Sequence, residues 1–425
     1  MTSNYKVSGV WKQTIPYIKV SSIWKTPKSA WTKINGTWKS WFLQGGVLDT
    51  GFLWPTSGIS SPNQYIISTS IQSDEKILIG GFFRIFNGIN VNNLIRLNTD
   101  ETLDTSFNTN LGSGFNNSIY SIAIQPSDGK ILVAGYFTTF NGNTRNGLIR
   151  LNADGTEDTT FATNIGTGFN NPVNSITIQP SDGKILVGGD FSTFKGVTRN
   201  RLVRLNADGT EDTTFYSNIG TGFNNSIYSI AIQPSDGKIL VGGSFDIFNG
   251  NTRNRLVRLN ADGTEDTTFA TNISSGFNDL VLSIAVQPSD GKILVGGNFT
   301  TFKGVGRNNL VRLNSNGTED ITFYSNLGTG FNININSITI QPDNKILVGG
   351  YFNALNASTR NGLVRLNADG TEDTIFYTNL NPESNTGINV ITIQSDGKIL
   401  IGGQFTHFNG NSSFVAARIG GDIAV

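Results

Sequence analysis

Six times along this chain an arginine is followed eight residues later by an aspartate: Arg96/Asp104, Arg150/Asp158, Arg204/Asp212, Arg258/Asp266, Arg312/Asp320 and Arg365/Asp373. Opposite charges at one fixed spacing either ring a ligand channel or lock a repeated element, and a repeat favours the second. The turns between them read "NADGTED" (Asn152–Asp158, with copies at Asn206, Asn260 and Asn367). Asn152, Asp154 and Asp158 resemble the start of a calcium loop, where oxygen ligands sit two residues apart. No bidentate glutamate follows at the distance such a loop needs, and one copy reads "NSNGTED" (Asn314–Asp320). The aspartates are therefore expected to shape turns and pair with the arginines, with no metal and no cofactor.

Other chemistry is thin. The chain has no cysteine and a single histidine, His407. It carries no Ser/His pair, no Gly-rich phosphate loop and no metal-spaced cluster. An enzyme needs something asymmetric, such as two carboxylates in unlike environments. The departures from regularity are "LWPTSGISSPNQY" (Leu53–Tyr65) and "NLNPESNTGIN" (Asn379–Asn389), and Glu383 is the one unusual acid there. One carboxylate is not a mechanism, so catalysis is not expected. The Asn-rich loops "NGNTRN" (Asn141–Asn146, Asn249–Asn254) have amides that suit sugars but no Trp or Tyr platform, and read as solvated loops.

The elements that carry these residues repeat. A glutamine recurs at Gln72, Gln125, Gln179, Gln233, Gln287, Gln341 and Gln394, in steps of 53 or 54 residues. A constant period of this kind marks a repeat architecture. Within one unit, "SIYSIAIQ" (Ser118–Gln125) alternates as a strand does. "PSDG" makes a tight turn, because Asp-Gly tolerates positive φ. "KILVAGYF" (Lys130–Phe137) reads as a buried strand whose small Ala134-Gly135 pair admits close backbone approach. "GLIRLN" (Gly147–Asn152) gives a third strand, and "ADGTEDTTF" (Ala153–Phe161) a second turn and a short fourth. Four antiparallel strands in about 54 residues, seven times over, suit the blades of a β-propeller better than the shorter coils of a solenoid. The seventh arginine, Arg418, has no aspartate after it. "GVLDTGF" (Gly46–Phe52) aligns with "GTEDTTF" (Gly155–Phe161) and supplies Asp49 instead. The expected fold is all-β: a seven-bladed β-propeller over residues 46–425, closed by its N-terminal strand and preceded by a small β-hairpin arm.

That arm, residues 1–45, differs in composition. It holds seven lysines and no acid in a chain of zero net charge, so the remainder is negative by seven. Trp11, Trp24, Trp31, Trp38 and Trp41 lie in it, out of six tryptophans in all. "KVSGVWK" (Lys6–Lys12), "KVSSIWK" (Lys19–Lys25) and "KINGTWK" (Lys33–Lys39) each read as strand, two-residue turn, strand. Lysines beside tryptophans suit single-stranded nucleic acid. The in-register placement points instead to tryptophans packed across small sheets, and hairpins this short need a partner to be stable. A docking arm is expected, built on Trp11, Trp24, Trp31, Trp38 and Trp41 with Lys12, Lys25 and Lys39, and no nucleic-acid partner.

The units "IAIQPSDGKILVGGDF…RLNADGTEDTTF" look like the delta-60 type repeats of bacterial and phage proteins, a family predicted to form β-propellers. That resemblance covers residues 46–425 and implies a fold more than an activity. The arm's Lys-Val-x-Gly-x-Trp-Lys hairpins are similar to segments of tailed-phage virion proteins, often near the end that attaches to the particle. Together they imply a non-enzymatic virion protein, present in several copies. Its arm would bind other virion proteins, and its propeller would face outward as fibre, decoration or contact for a host receptor or glycan. The alternative is a bacterial surface or secreted propeller that binds glycans or proteins. The opening residues lack the apolar core of a secretory signal, which counts against that alternative. No apolar run of about 18 residues occurs, so no membrane insertion is expected.

Overall fold

A computed structural model describes residues 45–49, 52, 64–380, 387–405, 407–408, 411–412 and 415–422, with side chains for all but 411–412. It also describes the backbone of six strands between residues 4 and 40.

The dominant feature is seven three-stranded antiparallel sheets, each in the order first, second, third strand. In the second unit the inner strand is Ile119–Ile124, the middle strand Ile131–Gly135 and the outer strand Leu148–Leu151. Middle strands are apolar because they are covered on both faces: Ile131, Leu132, Val133 and Ala134 are fully buried. The Asp-Gly turns form as their letters require, with Gly183 at φ +70° and Gly209 at φ +91°. The paired glycines mark where units touch. A Cβ on Gly188 would come within 2.7 Å of Ile227 Cγ2 and 2.8 Å of Ile230 Cδ1, both on the next inner strand.

The expected fourth strand is not there. After the outer strand, Leu151 and Glu157 form a single bridge and the chain turns into a helix, Thr159–Ile165, with counterparts in five other units. Asp158 caps it, accepting from Phe161 N at 3.2 Å. Phe161 and Ile165, four residues apart, then share one face and are buried between the second and third units. The β-branched letters "TTFATNI" suggested a strand, but the cap and this spacing prevail. The Asn-rich loops are likewise small hairpins, Thr139–Phe140 with Asn143–Thr144 in the second unit.

Consecutive sheets are joined by repeated contacts. Ser68 Oγ accepts from Ile122 N of the next unit, and Ser121, Ser175, Ser229, Ser283 and Ser337 do the same, all at 3.0–3.2 Å. The seventh sheet packs on the first with different letters. Asn389 Nδ2 donates to Ile66 O at 3.0 Å, Thr392 and Thr69 hydroxyls meet at 2.5 Å, and Leu400 and Ala416 share a core cluster with Ile66, Ile79 and Phe52.

Candidate binding site

The repeated polar residues gather into one cluster per unit. Asp158 Oδ2 accepts from Arg150 Nε at 3.0 Å and from Lys130 Nζ at 2.6 Å. Arg150 Nη1 also donates to Gln125 Oε1 at 2.9 Å and to Ala207 O in the next unit, and its guanidinium lies 4.4 Å above the Phe161 ring. The recurring glutamine is thus an acceptor for the arginine. In the second unit these groups all have partners, so the cluster there is a lock between sheets.

Burial alone would raise these carboxyls. The lysine, the capping N–H groups and the arginine outweigh it, holding Asp104, Asp158 and Asp266 at about 2. Asp49, Asp212, Asp320 and Asp373 are also held below the ordinary range. A carboxyl whose folded value lies below its unfolded value stabilises the fold fully above about pH 4, and that contribution disappears as pH falls towards 2. We expect stability to drop steeply across that window when followed by circular dichroism in dilute urea. A flat response down to about pH 2 would show that the clusters contribute little.

The calcium candidates are otherwise engaged. Asp154 Oδ1 accepts from Thr156 N at 3.0 Å and Thr156 Oγ1 at 2.7 Å, and Asn152 Nδ2 donates to the same hydroxyl at 3.0 Å. Among the described residues no group of three His, Cys, Asp or Glu side chains is placed to hold a metal ion. Asp49 and Arg418 meet: Nε to Oδ2 is 2.9 Å, Lys398 Nζ lies 3.2 Å from the same oxygen, and Asp49 N donates to Arg418 O at 2.8 Å. Leu48 bridges Ile419 as Glu157 bridges Leu151.

In the arm, three hairpins oppose Lys6 to Trp11, Lys19 to Trp24 and Lys33 to Trp38, while Trp31 faces Ser40. Lys12, Lys25 and Lys39 lie on the returning strands, opposite Tyr5, Ile18 and Thr32. Trp41 and Glu383 lie outside the described residues.

A site that the sequence reading missed lies where the inner strands converge. Each inner strand carries a β-bulge, and the extra residue is Ile67, Tyr120, Asn174, Tyr228, Leu282, Asn336 or Asn389 in units one to seven. All seven line one cavity of about 520 Å³, together with Tyr65, Tyr351 and Gln404. A bulge leaves its residue out of the ladder and re-aims the side chain. Here it turns one residue per unit inward. The letters around these positions repeat, mostly as Ser then Ile, yet the bulge residue itself varies between aromatic, amide and aliphatic. That variation within a constant frame was the available signal.

Three amides of the cavity are anchored across unit boundaries. Asn174 Nδ2 donates to Ile227 O and to Asp190 Oδ1, both at 3.0 Å, Asn336 Nδ2 to Ile388 O at 3.2 Å, and Asn389 Nδ2 to Ile66 O at 3.0 Å. The Tyr120 phenol is pushed up to about 12, first by burial and then by Tyr65 and Asp190 nearby. Tyr351 is raised as well, chiefly by burial.

The profile of a beta-propeller family described as a domain of unknown function, DUF5122, matches residues 72–107, 127–161, 181–215, 235–269, 289–323, 341–376 and 394–422. These segments make up more than half of the chain. The chain belongs to this family. No curated protein matches it in sequence. Among solved structures it is similar to the WD40 beta-propeller domain of Doa1, with a TM-score of 0.50 and 14% identity over 88% of this chain and 98% of that one. The extracellular domain of a hybrid two-component system from B. thetaiotaomicron is similar at a TM-score of 0.46 and 16% identity, over 84% of this chain and 40% of that one. At 14% identity the Doa1 likeness speaks to fold alone, and that fold is the all-β arrangement of seven blade-like units read from the repeats.

In this DUF5122 propeller the first six matched segments end on the phenylalanine beneath each arginine, from Phe107 to Phe376. They contain the arginines, the aspartates and the middle strands. All seven bulge residues fall outside them. The matched segments thus hold the frame and leave the seven bulge positions outside, while two other cavity residues, Tyr351 and Gln404, fall within them. Among the described residues no helix is long and apolar enough to cross a membrane.

Proposed function

We propose that this DUF5122 propeller is a non-enzymatic binding module, a closed seven-bladed ring that takes its ligand at the cavity between the inner strands. One observation carries the reading: seven positions equivalent in register, all outside the family-matched segments, differ in side chain and line one cavity. Ring closure is supported by Leu48 and Asp49, which give the seventh unit the same backbone and ion-pair contacts that Glu157 and Asp158 give the second.

The arm, by its likeness to tailed-phage hairpins, docks the propeller onto a virion, where the cavity faces outward towards a host surface. The test is co-sedimentation with assembling tailed-phage particles of the same source, comparing the full chain with one lacking residues 1–44. The full chain is expected to travel with particles and the shortened one to stay behind. If both stay behind, the virion placement is wrong and the surface or secreted binding propeller takes its place.

A further inference from the structure

We infer that the cavity binds a neutral saccharide, an assignment that rests on the reading of this chain as a binding module. Three features of the lining point to that class. The first is the lack of formal charge: tyrosines, asparagines, a glutamine and two aliphatic residues face the space, with no lysine, arginine, aspartate or glutamate among them. A phosphate or carboxylate ligand would lose water there without meeting a counter-charge. Asp190 at the edge is engaged, its Oδ1 accepting from Asn174 Nδ2.

The second feature is an arc on three consecutive units, Tyr120, Asn174 and Tyr228. A sugar ring presents C–H groups on its faces and hydroxyls around its edge. Tyrosine meets both needs, with an apolar ring face and a hydroxyl that donates and accepts. The Tyr120 phenol, raised further by its burial, is protonated throughout the physiological range as any tyrosine is. The third feature is preorganisation. Asn174, Asn336 and Asn389 each donate an amide N–H to a backbone carbonyl of the following unit, which fixes where each side chain sits before any ligand arrives. The volume, about 520 Å³, is within the range of small-molecule sites.

The test uses the full chain and ligand-observed saturation-transfer NMR. Its probes are glucose, galactose, mannose and N-acetylglucosamine with their disaccharides, set against sialic acid and choline. We expect at least one neutral sugar to bind, Tyr228→Ala to weaken it about tenfold or more, and Tyr228→Phe to weaken it less. Both substitutions should leave the melting temperature nearly unchanged, which separates lost contacts from lost fold. Binding of choline or sialic acid with no neutral sugar overturns the saccharide class while the binding-module reading stands. If no probe binds, the saccharide class is overturned. If Tyr228→Ala and Tyr120→Ala then also leave attachment to the host surface unchanged, the binding-module reading falls with it.

Discussion

Removing residues 1–52 is expected to lower the melting temperature by on the order of 10 °C, while removing residues 1–44 leaves it where it was. The two chains differ by eight residues, but those residues complete the seventh unit. Leu48 and Phe52 are 8% and 4% exposed, and each contributes roughly 1.5–3 kcal/mol by its burial. Asp49 is one of two carboxylates on Arg418, itself 6% exposed, and Glu101 is the other. Losing Asp49 leaves Glu101 on Arg418, so this loss costs less than the roughly 3–5 kcal/mol of leaving a buried charge without compensation. The shorter chain also exposes an outer strand edge at Ala416–Ile419, so it should associate on size-exclusion chromatography. A synthetic peptide of residues 45–52, added in excess, should restore both properties. Identical melting of the two truncated chains would remove the case for closure.

Arg150→Ala should destabilise the chain by about 3–5 kcal/mol, and Arg145→Ala by less than about 1 kcal/mol. Both arginines belong to the same unit and both pair with an acid, so the contrast isolates their surroundings. Arg150 is 6% exposed and holds Asp158, Gln125, Ala207 O and the Phe161 ring together across two units. Arg145 pairs with Glu157 where its side chain keeps 24% of its exposure. Arg150→Lys should recover little, since one ammonium cannot serve partners on several sides as a planar guanidinium does. Urea unfolding of the three variants decides this. Equal losses for Arg150 and Arg145 would mean that the cluster is no more than a surface pair.

The frame was legible because its reasons repeat. Gln125 accepts from Arg150, Arg150 holds Asp158, and Asp158 caps a helix, so each letter recurs wherever that geometry does. Asp49 could be placed by alignment because it enters the same contacts. The helix was misread because seven residues are too few for periodicity to show, and threonine favours strands when its neighbours are ignored. Asp158 as cap, Phe161 with Ile165 on one face and Gly166 after them were the clues. The cavity was harder. It takes one residue from each of seven strands, and nothing local marks Tyr120 and Tyr228 as neighbours of Asn174 across gaps of 54 residues. Asymmetry was sought in the irregular segments around Glu383, whereas it lay in single letters within the most regular strands.

Near-identical units bring a counting problem: nothing in a repeat says how many make a full turn, or whether the next unit comes from the same molecule. Six junctions use a serine hydroxyl to hold the following strand. At the seventh, Val390 occupies the serine position, and Asn389 and Thr392 reach Ile66 and Thr69 instead. There Arg418 turns to Glu101 of the first unit while Gln394 Oε1 is left without a partner. The Asn389 anchor has counterparts at Asn174 and Asn336, so what sets this junction apart among the described residues is the missing serine, the Thr69–Thr392 hydroxyl pair and the Arg418–Glu101 ion pair. In the proposed closed ring this seam would work as an address, telling the chain which two ends belong together and that seven is the number at which to stop.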